Sequence, residues 1–114
     1  MKEIRKILYS EEFNDFFESL DERIQRKFDD NISILKTVYA LSTTFVKKPV
    51  NTNVYEFRVS GGHIKCRCIL FAVDHENVIQ ATKIILLSGF LKKSSKDYYK
   101  QIKRANSILK NMEL

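Results

Sequence analysis

The hydrophobic period of this 114-residue chain changes once, and that change limits the folds open to it. Between residues 10 and 42 large apolar side chains recur every three or four positions: Phe13, Phe16, Phe17, Leu20, Ile24, Phe28, Ile32, Leu35 and Val38. Such spacing stripes one face of a helix. Beyond residue 53 the period falls to two. Tyr55, Phe57 and Val59 alternate with Glu56, Arg58 and Ser60. After Gly61-Gly62, a second run sets Ile64, Cys66, Cys68, Leu70 and Ala72 against Lys65, Arg67, Ile69, Phe71 and Val73. Alternation marks strands, and two alternating runs about a Gly-Gly mark a hairpin.

Boundary residues divide the rest. Residues 2–9 are a strand candidate. Ser10 is suited to cap the helix that follows, with Glu11 and Glu12 in its first turn. A break near Ser19-Leu20-Asp21, with Asp21 as a second cap, makes the striped region a helical hairpin or one bent helix ending near Ser42. Residues 43–53, with the sole proline, Pro49, and Lys47-Lys48, read as a loop. A polar loop from Asp74 to Thr82 leads to a third run, Ile84 to Phe90. The last helix begins at Ser94 or Ser95 and turns Tyr98, Ile102, Ala105, Leu109 and Met112 inward. Strand, helical segment, three strands and helix predict an α+β fold over residues 1–114 as one domain. Its expected parts are a small, mostly antiparallel sheet, an N-terminal helical hairpin and a C-terminal helix.

Composition excludes several classes. At 44% hydrophobic and 30% charged residues the chain resembles an ordinary globular protein. No apolar run approaches the roughly 18–20 residues of a membrane span, and the N-terminus lacks the apolar stretch of a signal peptide. A cytoplasmic location is expected. The only cysteines, Cys66 and Cys68, lie two apart on one strand face and are poorly placed to bridge each other. Zinc would need further ligands, and the only histidines are His63 and His75. We expect buried thiols, no metal and no cofactor. Phosphate-binding glycine loops, nucleophile elbows and metal-spaced carboxylates are absent from the sequence.

The charge is concentrated. Of 20 basic and 14 acidic residues, seven basic and one acidic fall in residues 91–110, which therefore account for the whole +6. The strand ending Gly89-Phe90-Leu91 runs straight into Lys92-Lys93. A patch of this density suits phosphate. On the last helix Tyr99 lies about 100° from Tyr98 and shares its face with Lys96 and Lys103, and more loosely with Lys92 and Lys100. An aromatic ring among lysines is what single-stranded nucleic acid uses, the ring for a base and the cations for the backbone. A plain solvated basic face is the alternative.

The hairpin adds a second cluster. A turn centred between Gly62 and His63 sets Arg58 directly opposite Arg67, with Lys65 on the same face. Like charges in that position are destabilising unless an anion joins them. Glu56 is one candidate, and a bound phosphate, matched to the guanidinium fork, is the other. His63 and His75 fall in turn and loop sequence, where a lone histidine is more often incidental than catalytic.

Several segments together resemble the RelE/ParE superfamily of bacterial toxins, in its HigB-like, phage-derived branch. They are Tyr9-Ser10-Glu11-Glu12-Phe13, Phe45-Val46-Lys47-Lys48, Val54-Tyr55-Glu56-Phe57-Arg58, Arg67, and Leu87-Ser88-Gly89-Phe90-Leu91-Lys92-Lys93. The resemblance implies the toxin of a type II toxin–antitoxin pair. It implies an endoribonuclease, an mRNA interferase that acts at the ribosome without metal and inhibits translation. Its expected partners are a helix-turn-helix, HigA-like antitoxin, the ribosome and mRNA. Arg67, Lys92, Lys93 and Tyr99 are then the expected catalytic residues, and Arg58, Lys65, Lys96, Lys100 and Lys103 the RNA-binding ones. The chain departs from ribonuclease members that carry lysines on the strand before Arg67, since Val54 and Glu56 stand there. Proton transfer then falls to Lys92, Lys93, Tyr99 or a histidine. Relatives of ParE type share the fold but inhibit DNA gyrase, and an inactive phage-derived binding module is a further alternative.

Overall fold

The computed structural model describes residues 2–61, 64–92 and 95–112. The elements in order are β1 (Lys6–Tyr9), α1 (Glu11–Ser19), α2 (Glu22–Thr37), β2 (Val46–Lys47), β3 (Tyr55–Gly61), β4 (Ile64–Ala72), β5 (Lys83–Leu91) and α3 (Ser95–Asn111). The strands form one five-stranded sheet in the order β1-β5-β4-β3-β2. Its ladders are antiparallel except β1 with β5, which is parallel. The fold is α+β, as expected from the sequence.

Both predicted caps are present. The Ser10 hydroxyl accepts from the Phe13 N–H at 2.9 Å and donates to the Leu87 carbonyl at 2.5 Å, tying α1 to β5. The Asp21 carboxylate accepts from the Ile24 N–H at 3.0 Å and opens α2. The region is therefore two helices and not one bent helix. Three features differ from expectation. The helical region ends at Thr37, five residues before Ser42. The segment read as a loop contains β2, whose two residues are too few to show a period. The first strand pairs parallel with β5, a partner that nothing local to residues 2–9 announces.

Helices α1 and α2 cover one face of the sheet and α3 the other. On the first face Phe13, Ile24, Phe28, Leu35, Phe57, Cys68, Leu70 and Leu86 form a dry core. Phe28 is its hub, with ring centroids of Phe13, Phe16, Phe17 and Phe57 between 5.9 and 6.2 Å away. Both cysteines are buried free thiols here, and burial pushes the Cys68 thiol well above its usual range. On the second face Val54, Ile69, Ile85, Leu87 and Phe90 pack against Ile102, Ala105 and Ile108 of α3.

A β-bulge positions the end of β5. Ile69 pairs with Ser88, yet Leu70 pairs with Leu86, so Leu87 is the extra residue. Downstream of it Phe90 stands beside Arg67 on the α3 face, and Gly89 beside Cys68 on the α1 face. A Cβ on Gly89 would lie 2.1 Å from a ring carbon of Phe16, so this glycine is where α1 rests on the sheet.

One buried cation went unread in the sequence. Arg5 donates to the carbonyls of Leu35, Val38, Tyr39 and Ile79 at 2.5–2.9 Å. Three of these lie at or just past the end of α2, where the helix dipole favours a positive charge. Burial pulls its pKa below the usual arginine value. The residue closes the α2 terminus against the first strand and the 77–80 turn.

Candidate nucleic-acid interface

The α3 face of the sheet carries the charged cluster. Arg58 and Arg67 are direct cross-strand partners, as the hairpin register predicted. The next pair outward is Ser60 with Lys65, and the Lys92 N–H donates to the Lys65 carbonyl at 2.9 Å. Alternation thus sets Arg58, Lys65 and Arg67 on one face at one end of the sheet, and Lys92 follows just past the end of β5.

Glu56 supplies the anion between the arginines. Its Oε1 lies 2.7 Å from Arg67 Nε and 3.5 Å from Arg58 Nε. The Tyr98 hydroxyl, reaching down from α3, donates to Oε2 at 2.8 Å. Arg67 Nη1 also donates to the Cys66 carbonyl. Burial, and then the Glu56 carboxylate, push the Tyr98 phenol far above its ordinary pKa. Tyr98 is therefore a neutral donor at physiological pH, not a base. Side-chain exposure separates the arginines: 7% for Arg67 and 32% for Arg58, over a Glu56 that is 4% exposed. Two guanidinium groups and one carboxylate leave one net positive charge, and Arg58 brings it to the surface.

Helix α3 separates Tyr98 from Tyr99 as its period predicted, with Ile102 and Ala105 buried. Its third buried residue is Ile108, which the expected face omitted, and Leu109 and Met112 are only partly buried. Tyr98 stacks obliquely near Phe90, centroids 6.3 Å apart, while Tyr99 is 71% exposed. Lys92, Lys96, Lys100 and Lys103 are exposed as well. Lys65 is exposed on β4. Lys93 and His63 lie outside the described residues. His75 is not near this cluster. It sits in the turn beyond the opposite end of β4, where its Nδ1 accepts from the Asn77 N–H at 2.9 Å.

Sequence reasoning passed over the loop after β2. Residues 47–52 lie against α3 and enclose with it a groove of about 500 Å³, lined by Lys47, Val50, Asn51, Tyr99, Lys103 and Asn106 among others. The Lys47-Lys48 pair was a partial signal, but the facing wall comes from residues some fifty positions away. Glu56 was visible as a possible partner of the arginines, whereas its bond to Tyr98 was not. Among the described residues no three His, Cys, Asp or Glu side chains are grouped to hold a metal ion, and no helix is long and apolar enough to cross a membrane.

Comparison with characterised proteins gives no match among curated sequences. Over residues 15–110 the chain matches the family model described as "Phage derived protein Gp49-like (DUF891)". That span runs from α1 through the basic part of α3, and the chain belongs to this phage-derived, RelE/toxin-like family.

Proposed function

We propose that the chain is the toxin of a type II toxin–antitoxin pair, a HigB-like endoribonuclease that cuts mRNA on the ribosome and arrests translation. The family membership supports the toxin reading. The observation that supports the nuclease reading is a partly exposed guanidinium: Arg58 lies 3.5 Å from the carboxylate of a buried Glu56–Arg67 pair, which a half-buried Tyr98 also bonds, at the end of the sheet that carries Lys65 and Lys92. Arg58 and Lys92 meet the scissile phosphate. Arg67 acts as a positioning residue, holding the carboxylate that holds Arg58. Tyr99 stacks on a neighbouring base, and Lys96, Lys100 and Lys103 follow the backbone.

In the proposed reaction the 2′-oxygen attacks the adjacent phosphorus, its proton passing to solvent. The bond to the 5′-oxygen breaks, and an ammonium proton from Lys92 or Lys93 goes to that oxygen. The products are a 2′,3′-cyclic phosphate and a 5′-hydroxyl. The protein contributes alignment and charge on the phosphorane. A cognate antitoxin of HigA-like, helix-turn-helix type covers the basic face between episodes of activity.

Mapping RNA 5′ ends after induction tests the reading. Cuts within translated codons are expected. In Arg58→Ala, cleavage should fall by about 10²–10³-fold, the effect of losing one charge-stabilising donor. A second reading has an observation in its favour: Glu56 already occupies the arginine pair where a phosphate would sit. It makes the chain a non-cleaving binder, either a ParE-like gyrase inhibitor or a phage-derived module without toxicity. DNA damage without codon cuts identifies the first and no growth arrest the second. Either result overturns the nuclease.

A further inference from the structure

The groove between the 47–52 loop and α3 shares Tyr99 and Lys103 with the proposed RNA face and has three properties of its own. Its walls present two large apolar groups to water, Val50 at 86% exposure on the loop and Tyr99 on the helix. Its charged lining residues are Lys47 and Lys103, with no acid among the lining side chains. Finally, the loop is held in shape. Asn51 takes a left-handed φ of 60°, which asparagine tolerates. The Thr52 hydroxyl bonds the Pro49 and Val54 carbonyls, and the ring of Pro49 fixes its own φ. A lone exposed valine is ordinary, but here Val50 and the exposed ring of Tyr99 line one groove whose loop wall is held in shape.

The ligand's chemistry follows from the walls. A flat group fits between an aromatic ring and an aliphatic side chain. Two lysines and no carboxylate call for an anion attached to it. The side-chain amides of Asn51 and Asn106 offer paired donors and acceptors. A volume of about 500 Å³ lies within the range of small-ligand clefts. We propose that this groove binds one nucleotide of a single strand. Its base lies between Tyr99 and Val50, its phosphates meet Lys47 and Lys103, and Asn51 with Asn106 read its edge. The 47–52 loop is then the element that sets base preference. The proposal shares with the function above the premise that the partner is a nucleic acid. It does not need cleavage.

The test is binding of a fluorescein-labelled octaribonucleotide to the purified full chain at low salt, read by anisotropy. Val50→Asp should weaken binding tenfold or more while leaving the thermal midpoint unchanged. Tyr99→Ala should weaken it by about 5- to 150-fold, the loss of one stacked base. Asn106→Ala should flatten the ranking among oligo-A, oligo-C and oligo-U. If the wild-type chain does not bind, or if Val50→Asp binds like wild type, the proposal is overturned. It is also overturned if Val50→Asp keeps RNA and loses an acidic peptide or the cognate antitoxin, since the groove would then be a protein seat. Binding that depends on Val50 and Tyr99 in a chain that never cuts mRNA leaves this inference standing and removes the nuclease. Codon cuts with binding indifferent to Val50 do the reverse.

Discussion

The two faces of the sheet solve opposite problems. Under α1 and α2 the buried cluster is the larger of the two and centres on Phe28, with four aromatic rings around it. Under α3 the apolar packing is smaller, and Glu56, Arg58, Arg67 and Tyr98 occupy space that hydrophobic side chains could fill. Apolar burial returns free energy in proportion to area. A buried ion pair must first offset desolvation and often contributes little net. A fold that needed only stability would have two faces like the first. The second has given up some of that stability to keep a carboxylate between two guanidinium groups, with Arg58 partly exposed at the surface.

Three experiments bear on this contrast. Phe28→Ala should cost the most, about 3–5 kcal/mol, because it opens a cavity at the aromatic hub; a denaturant titration showing under 1 kcal/mol would place the stability elsewhere. Gly89→Ala should cost about 1–3 kcal/mol, since the new methyl forces the Phe16 ring off the sheet, and the thermal midpoint should fall with it. Joint replacement, Glu56→Met and Arg67→Met with Tyr98→Phe so that no hydroxyl loses its acceptor, should change stability by less than about 1 kcal/mol in either direction while abolishing growth arrest. Marked destabilisation there would mean that the charged face carries the fold as well.

The smallest effect is expected at Asp74, which belongs to neither face. Hydrogen bonds from the Thr82 side chain and the Thr82 and Lys83 backbones lower its pKa below the ordinary 3.8. A carboxylate with a depressed folded pKa contributes stability above its unfolded value and loses that contribution as pH falls through the folded one. Asp74→Asn should therefore lower the thermal midpoint slightly near neutrality and flatten the midpoint-versus-pH curve only below about pH 4.

What the sequence revealed follows how local each signal is. The caps at Ser10 and Asp21, the strand periods and the split between Tyr98 and Tyr99 depend on neighbours within four residues, and all could be read. The facing of Arg58 and Arg67 follows from one hairpin turn, so it too was accessible. Arg5 could not be read, because backbone carbonyls hold it and leave no trace in residue types. The β1–β5 pairing spans more than seventy positions with no intervening pattern. The role of Val50 depends on where α3 packs, so a loop composition of Lys-Lys-Pro-Val-Asn said little. The exposure difference between Arg58 and Arg67 was likewise hidden, since both occupy equivalent places in an alternating run.

The parallel pairing of β1 has a consequence for synthesis. Residues 6–9 emerge first, but their ladder partner is residues 83–86. At about 5–20 residues per second, ribosomes need roughly 4–15 s to make the intervening chain. Through that interval Ile7 and the phenylalanines of α1 have no β5 to rest on. Contacts so distant along the chain also form slowly once both ends exist. The nascent protein therefore passes through a stage in which the apolar stripe of residues 13–38 has been made and has no complete sheet to cover it, before Arg58 meets Glu56 or Tyr99 is in place. Whatever binds that apolar stripe early, chaperone or partner, meets the chain before its basic face has been assembled.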